Sequence, residues 1–309
     1  MLSVIIPAYN EENCIMPAYT TIHSLLTEND ITCEIIFIDD GSQDRTFDMI
    51  SELSLKTENV VGLHFSRNFG KESAISAGLA AARGECAVVI DCDLQHPPEK
   101  IVEMYRLWEQ GYEIVEGIKK ERGQEKKMHS MGAKLFYSVI SRMAGFDMAN
   151  SSDFKLLDRK VVDVLNKMPE RGFFRAISYW VGYNKTSVSY NVRERVAGES
   201  KWSTCGLIRY AFSNITSYST APMQIVTVLG VIMLVLSVIL GVWALVDKIA
   251  SRALEGMTTV IVITIFIGSI IMISLGIIGY YIARLYEEVK GRPKYIISST
   301  VRSSKNKMV

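Results

Sequence analysis

Two long segments without a charged residue lie in the last third of this 309-residue chain. They are residues 223–246 and 258–283, and each is long enough, as a helix, to cross the ~30 Å hydrocarbon core of a bilayer. Buried core helices of a soluble protein are the alternative, but two such runs separated only by residues 247–257 argue against it. The pattern predicts two transmembrane helices that form a hairpin.

The charges that flank these segments predict their orientation. Residues 284–309 carry seven basic and two acidic side chains, whereas the loop at 247–257 is neutral overall. Because basic loops remain in the cytoplasm, we expect both termini on the cytoplasmic side of the membrane. With the tail at +5 and the whole chain at +1, residues 1–221 carry −4, so nucleic acid is not an expected partner.

The N-terminus and the cysteines also indicate a cytosolic first part. Residues 1–7 read as a strand and lack the basic start of a signal peptide. The five cysteines are odd in number and show no C-x-x-C spacing. This usage fits a reducing compartment and argues against a zinc site.

Apolar strands alternate with helical stretches through the first part of the chain. Strands are predicted at 2–7, 33–38, 60–65 and 86–90, with helices ending near residue 29 and at 44–56 and 71–83. This rhythm predicts an α/β, Rossmann-like domain with a largely parallel sheet and helices on both faces. No G-x-G-x-x-G follows the first strand, so a dinucleotide site of the usual kind is not supported.

Carboxylates follow three of the predicted strands, at the sheet edge where open α/β folds bind their ligands. They are Glu11, Asp39, Asp40, Asp91 and Asp93. Asp91, Asp93 and Gln95 together offer several hard oxygens to one Mg²⁺ or Mn²⁺ that binds a diphosphate. A plain polar turn at the strand end is the alternative for each of these motifs.

Four motifs, in order along the chain, resemble those of the GT-A-fold family 2 glycosyltransferases. They are V-I-I-P-A-Y-N-E-E at 4–12, I-D-D-G-S at 38–42, S-R-N-F-G-K at 66–71 and D-C-D-L-Q-H-P-P-E at 91–99. With its two C-terminal apolar segments, the chain resembles more closely the bacterial polyprenyl-phosphate glycosyltransferases, which are related to dolichol-phosphate mannose synthase.

The resemblance implies a donor site and a metal site, residue by residue. Nucleotide-sugar binding is implied for Pro7, Tyr9, Glu11, Asp39, Asp91, Lys119 and Arg122, and metal binding by Mg²⁺ or Mn²⁺ for Asp91, Asp93 and Gln95. Arg is usual where this chain has Lys119, which weakens the expectation of bidentate phosphate binding there. His96, beside the metal motif, is expected to be a hydrogen-bonding turn residue rather than a ligand.

The acceptor side is implied by the later motifs. Asp153 matches a position that faces the sugar, and with Asp93 it is our candidate catalytic residue. A cationic cluster ahead of the membrane segments is implied to bind the lipid phosphate, and consists of Arg193, Arg195, Ser200 and Lys201. Aromatic and apolar residues at helical spacing in 203–221 predict an interfacial amphipathic helix, or one packed on the soluble domain. Relatives of this kind imply a homo-oligomer, a tetramer among the options.

The expected organisation is a catalytic domain at 1–202, the interfacial helix at 203–221, the transmembrane hairpin at 222–283 and a basic cytoplasmic tail at 284–309. The implied reaction is inverting transfer of one sugar, with glucose from UDP-glucose as the first choice, to undecaprenyl or another polyprenyl phosphate. A processive polysaccharide synthase and a non-catalytic nucleotide sensor are the alternatives. This chain lacks the Q-x-x-R-W motif that is expected of a processive synthase. A nucleotide sensor would not need the metal motif, which is intact here.

Overall fold

The computed structural model describes residues 1–119, 152–168, 174–191 and 257–303, and four helical positions between 232 and 242. Eight strands form one sheet: β1 Leu2–Ala8, β2 Cys33–Asp39, β3 Val60–Phe65, β4 Cys86–Val89, β5 Ile114–Lys119, β6 Lys155–Asp158, β7 Lys185–Tyr190 and β8 Ile297–Arg302. Seven helices are described: α1 Ile15–Glu28, α2 Thr46–Lys56, α3 Lys71–Ala81, α4 Glu99–Glu109, α5 Arg159–Lys167, α6 Phe174–Trp180 and α7 Met257–Val289.

The sheet has the order β7-β5-β6-β4-β1-β2-β3-β8. Strands β1 to β4 are mutually parallel, as are β5 and β7, which confirms the predicted α/β core. The expectation of a largely parallel sheet needs one correction, because β6 pairs antiparallel with both β4 and β5, and β8 pairs antiparallel with β3. The sheet is therefore mixed, and its parallel strands still end at one common edge.

Both faces of the sheet are buried, as a parallel core requires. Val4 and Ile6 of β1 pack in one apolar cluster with helix α1, while Ile5 packs in the other with helix α3. At Gly78 of α3 a Cβ atom would lie 2.3 Å from the side chain of Ile5, so only glycine allows this close approach. The absence of polar alternation in these strands follows from burial on both faces.

The chain divides into two compact units, Met1–Ser203 with Pro293–Val309, and Thr204–Arg292. The last strand, β8, thus belongs to the sheet unit although it follows the second unit in sequence. Strand β8 pairs with β3 of its own chain. Tyr295, just before β8, also stacks on Phe65 with ring centroids 5.1 Å apart.

Helix α7 is the one helix in the described part of the chain that is long and apolar enough to cross a membrane, through residues Phe266–Ala283. This matches the second predicted transmembrane segment. The first, at 223–246, falls outside the described residues except at four positions, which are helical and exposed: Ile232, Val235, Ile239 and Val242. The predicted interfacial helix at 203–221 also lies outside the described residues.

Candidate active site

The loops after β1 and β2 are tied together at the carboxyl edge of the sheet. The backbone amide of Asn10 donates to Ser42 Oγ over 2.9 Å, and Asn10 Oδ1 accepts from the amide of Gln43, also over 2.9 Å. The amide of Glu11 donates to Thr46 Oγ1 over 2.8 Å. Because parallel strands β1 and β2 end side by side, two motifs about thirty residues apart form one rigid rim.

Asp39, at the end of β2, is fully buried and has both carboxylate oxygens engaged. Oδ1 accepts from the amide of Ser42 over 3.0 Å, and Oδ2 lies 2.5 Å from His64 Nδ1. His64 is the registered partner of Asp39 on the neighbouring strand, and its ring stacks on Phe47 at 4.3 Å. Sequence reasoning missed His64, because cross-strand pairing becomes visible only when the register is known.

Asp40 holds the loop that leads into helix α3. Its buried carboxylate accepts from the amides of Phe69 and Gly70, over 2.6 and 2.9 Å. Burial raises the pKa of Asp40 in spite of these bonds. Gly41 lies against the same loop with a φ of +68°, and a Cβ there would approach the carbonyl carbon of Arg67 to 2.4 Å. Asp40 and Gly41 therefore shape the S-R-N-F-G-K segment.

The turn after β4 presents Asp91, Asp93 and Gln95. Leu94 takes a left-handed φ of +55°, and the amide of Gln95 donates to Asp93 Oδ1 over 3.1 Å. His96 in this turn is buried and stacks on Phe154 at 5.0 Å. Its Nδ1 has no hydrogen-bond partner among the described residues and lies 3.9 Å from Asp91 Oδ2. Burial lowers the pKa of His96, which favours the neutral ring.

A network of alternating charges crosses the site from Asp91 to helix α6. Lys71 Nζ lies 2.6 Å from Asp91 Oδ1 and 3.0 Å from Asp153 Oδ2. Arg175 grips Asp153 in a bidentate manner, with Nε 2.7 Å from Oδ1 and the second nitrogen 3.0 Å from Oδ2. Burial alone would raise the pKa of Asp153, but Lys71 and Arg175 hold it far below its usual range.

A second buried lysine lies next to this network. Lys155 Nζ is 3.1 Å from Glu116 Oε1 and donates to Ser178 Oγ over 2.8 Å. Burial lowers the pKa of Lys155 in spite of the Glu116 carboxylate. Because Ser178 belongs to α6, Lys155 joins that helix to strands β5 and β6.

Comparisons with known proteins identify the family of this chain. Residues 3–164 match the model of Glycosyl transferase family 2, which is more than half of the chain. An uncharacterized glycosyltransferase of Synechocystis sp. is 38% identical over 96% of this chain and 94% of its own. The SfII prophage-derived bactoprenol glucosyl transferase of Shigella flexneri is 36% identical over 98% of this chain and 99% of its own.

The chain belongs to glycosyltransferase family 2. A solved structure, glucosyl-3-phosphoglycerate synthase from Mycobacterium tuberculosis, shares the fold of this glycosyltransferase with a TM-score of 0.50. It is 19% identical and covers 70% of this chain and 76% of its own. The predicted GT-A, Rossmann-like fold is thereby confirmed.

The residues predicted to hold a metal lie in the turn after β4. The described residues contain no group of three His, Cys, Asp or Glu side chains that could hold a metal ion. Asp91 Oδ1 contacts Lys71 Nζ and Asp93 Oδ1 accepts from the amide of Gln95, and the metal-binding role of Asp91, Asp93 and Gln95 stays a prediction. Their carboxylate and amide oxygens fit a hard divalent cation that takes its other ligands from a diphosphate and water.

The predicted donor residues lie at the carboxyl edge of the sheet as far as the chain is described. Pro7 lies within β1, Tyr9 and Glu11 follow it, and Lys119 ends β5. Arg122 and the four residues of the cationic cluster, Arg193, Arg195, Ser200 and Lys201, lie outside the described residues. Lys71 and Arg175, like His64, are site residues that sequence reasoning did not select, although Lys71 lies in the S-R-N-F-G-K motif.

Proposed function

We propose that this glycosyltransferase moves a single sugar from a nucleotide diphosphate donor to a polyprenyl phosphate at the cytoplasmic membrane face. The single observation that carries the proposal is that the carboxyl edge of the sheet brings the turn after β4 and the Asp153 segment together. Lys71 Nζ lies 2.6 Å from Asp91 Oδ1 and 3.0 Å from Asp153 Oδ2. This contact supports a site in which a nucleotide-sugar half and an acceptor half adjoin.

The relatives support this acceptor. The Shigella flexneri protein and an Escherichia coli K12 homolog, 37% identical over 96% of this chain, are named bactoprenol glucosyl transferases. Glucose from UDP-glucose is accordingly the first donor to test. Arg193, Arg195, Ser200 and Lys201 are the proposed contacts of the lipid phosphate, since guanidinium and ammonium groups bind phosphate strongly.

The charges of the site support direct attack by the acceptor. A phosphate monoester has its second pKa at roughly 6, so the nucleophile is already anionic and needs no strong base. Asp153 would serve poorly as a base, because Lys71 and Arg175 keep its pKa far below neutrality. Asp93 and Gln95 would hold a divalent cation, Mg²⁺ or Mn²⁺, whose chemistry when bound is Lewis-acid neutralisation of the leaving diphosphate. Attack from the opposite face would invert the anomeric carbon.

The connectivity of the sheet supports a hairpin in the membrane. Strand β8 follows α7 and joins the sheet of β1 to β7, so the segments before and after α7 contribute to one domain. If α7 crosses the bilayer, the chain must cross once more between residues 191 and 257. Residues 223–246 form the long apolar run in that interval. We therefore propose two crossings, with both termini cytoplasmic, and a catalytic domain that is completed by the tail.

Labelled UDP-glucose, undecaprenyl phosphate and Mg²⁺, incubated with the protein in detergent, test the proposal. We expect a chloroform-soluble glycolipid that carries one sugar, and a screen of other nucleotide sugars identifies the preferred donor. Insoluble polymer would indicate a processive synthase, and nucleotide binding without any product would indicate a sensor. Either result would refute the proposed function.

A further inference from the structure

The first turn of helix α3 and the first turn of helix α6 are joined through one buried carboxylate. Lys71 begins α3, Arg175 lies in the first turn of α6, and both bind Asp153, which is 5% exposed. A second contact lies beside the first, because the amide of Phe174 donates to Glu72 Oε2 over 2.8 Å. We call Lys71, Asp153 and Arg175 the clasp.

Both carboxylate oxygens of Asp153 have cationic partners, Arg175 from helix α6 and Lys71 from helix α3. Burial of a lone carboxylate is costly, but a bidentate guanidinium and an ammonium supply three charge-assisted contacts to its two oxygens. Asp153 is thereby fixed in orientation as well as in charge. Removing either cation would leave a buried anion with half of its partners.

Lys71 differs from Arg175 in that it also binds the donor side. Its ammonium is shared between Asp153 and Asp91, and Asp91 lies in the turn that carries Asp93. The Lys71 side chain is 40% exposed, so it does not serve merely to fill the core. A lysine needed only for stability could be paired with either carboxylate alone. Because Lys71 binds both Asp91 and Asp153, it links the turn after β4 to helix α6.

We propose that Lys71 is a positioning residue, which holds Asp91 of the donor half and Asp153 of the acceptor half in one fixed arrangement for transfer. The proposal deepens the proposed function and rests on it for the identity of the acceptor. Lys71 acts through the two carboxylates, so its loss should displace the reacting groups and leave the proposed nucleotide contacts of the β1 and β2 loops in place. Misplacement of reacting groups by about 1 Å costs on the order of a hundredfold in rate.

A double-mutant cycle tests this with Lys71→Met, Asp153→Asn and the combined variant. Lys71→Met keeps the length of the side chain and removes its charge. We expect each single change to lower kcat by about a hundredfold and the combined change to lower it by far less than the product of the two losses, because residues that share a contact are not additive. The KM for the nucleotide sugar should stay within about threefold of its wild-type value. Lys71→Arg should retain activity within about tenfold.

Lys100→Met is the matched control, since Lys100 pairs with Glu103 on the exposed face of helix α4 at 2.6 Å and should leave kcat unchanged. Melting temperatures of all variants identify any that fail to fold, and for these Lys71→Arg and Lys71→Gln replace Lys71→Met. Losses in kcat that multiply in the combined variant would overturn the proposal. A raised KM for the nucleotide sugar with normal kcat would make Lys71 a donor ligand instead, and would overturn it equally.

The rate at which water hydrolyses the donor is measured for the same four proteins, since this reaction needs no lipid acceptor. If the wild type hydrolyses the donor but forms no glycolipid, the proposed acceptor is wrong and the clasp is still tested on hydrolysis. If glycolipid forms and the cycle is additive, the proposed function stands and the clasp is wrong.

Discussion

Asp40 is expected to be a principal support of the loop that delivers Lys71, and replacing it with alanine tests how that loop is held. The change removes the acceptor of two backbone amides, those of Phe69 and Gly70, at 2.6 and 2.9 Å. Each buried amide left unpaired costs about 1–3 kcal/mol, which gives about 2–6 kcal/mol in all. Part of this is recovered, because burial disfavours the Asp40 carboxylate and raises its pKa.

We therefore expect Asp40→Ala to destabilise the sheet unit by about 2–4 kcal/mol. For a unit of this size each kcal/mol lowers the melting temperature by about 2–4 °C, so the expected decrease is about 4–16 °C. Lys71 follows Gly70 directly, so we also expect kcat to fall by roughly ten- to a hundredfold.

Thermal unfolding in detergent and single-sugar transfer to the lipid measure the two effects. Asp163→Ala is the control, because Asp163 is 54% exposed, pairs with Arg159 over 3.6 Å and should contribute below about 1 kcal/mol. A melting temperature within about 2 °C of the wild type would refute the reasoning, since the two amides would then not depend on Asp40.

Three further predictions concern the metal, the pH dependence and the topology. Asp93→Asn should lower transfer by about a hundredfold or more and a chelator should abolish it, whereas full activity of that variant in chelator would exclude the metal. Burial and the Asp153 charge raise the pKa of Glu72 from 4.5 to about 7. The folded state therefore binds a proton on Glu72 more tightly than the unfolded state does, so the free energy of unfolding should fall as the pH rises from 4.5 to 7. Glu72→Gln should match the wild-type melting temperature at pH 4.5 and exceed it at pH 8, and parallel curves would contradict this. An impermeant thiol reagent should label an introduced cysteine at Ser251 in outer-membrane-permeable cells and spare one at Lys305, and the reverse pattern would refute the orientation.

Much of the fold and of the donor side could be predicted from local sequence. Hydrophobic period and turn residues are local properties, so strands β1 to β4 and the turns that follow them were predicted within a residue or two. Parallel strands bring their carboxyl ends to one edge, which places Glu11, Asp39 and Asp93 there without knowledge of any contact. The uncharged run at 258–283 predicted α7 for the same local reason.

The pairing of charges was decided by the tertiary structure. Lys71 and Asp153 are 82 residues apart, and nothing near either residue indicates that β6 inserts antiparallel between β4 and β5. His64 reaches Asp39 only because of the register of β2 and β3. Strand β8 pairs with β3 only because the chain returns to the sheet after α7. Strand order and register are chosen by the free energy of packing the whole sheet, which is a sum over distant contacts. A sequence therefore shows which groups are present at the edge, whereas the fold decides which of them meet.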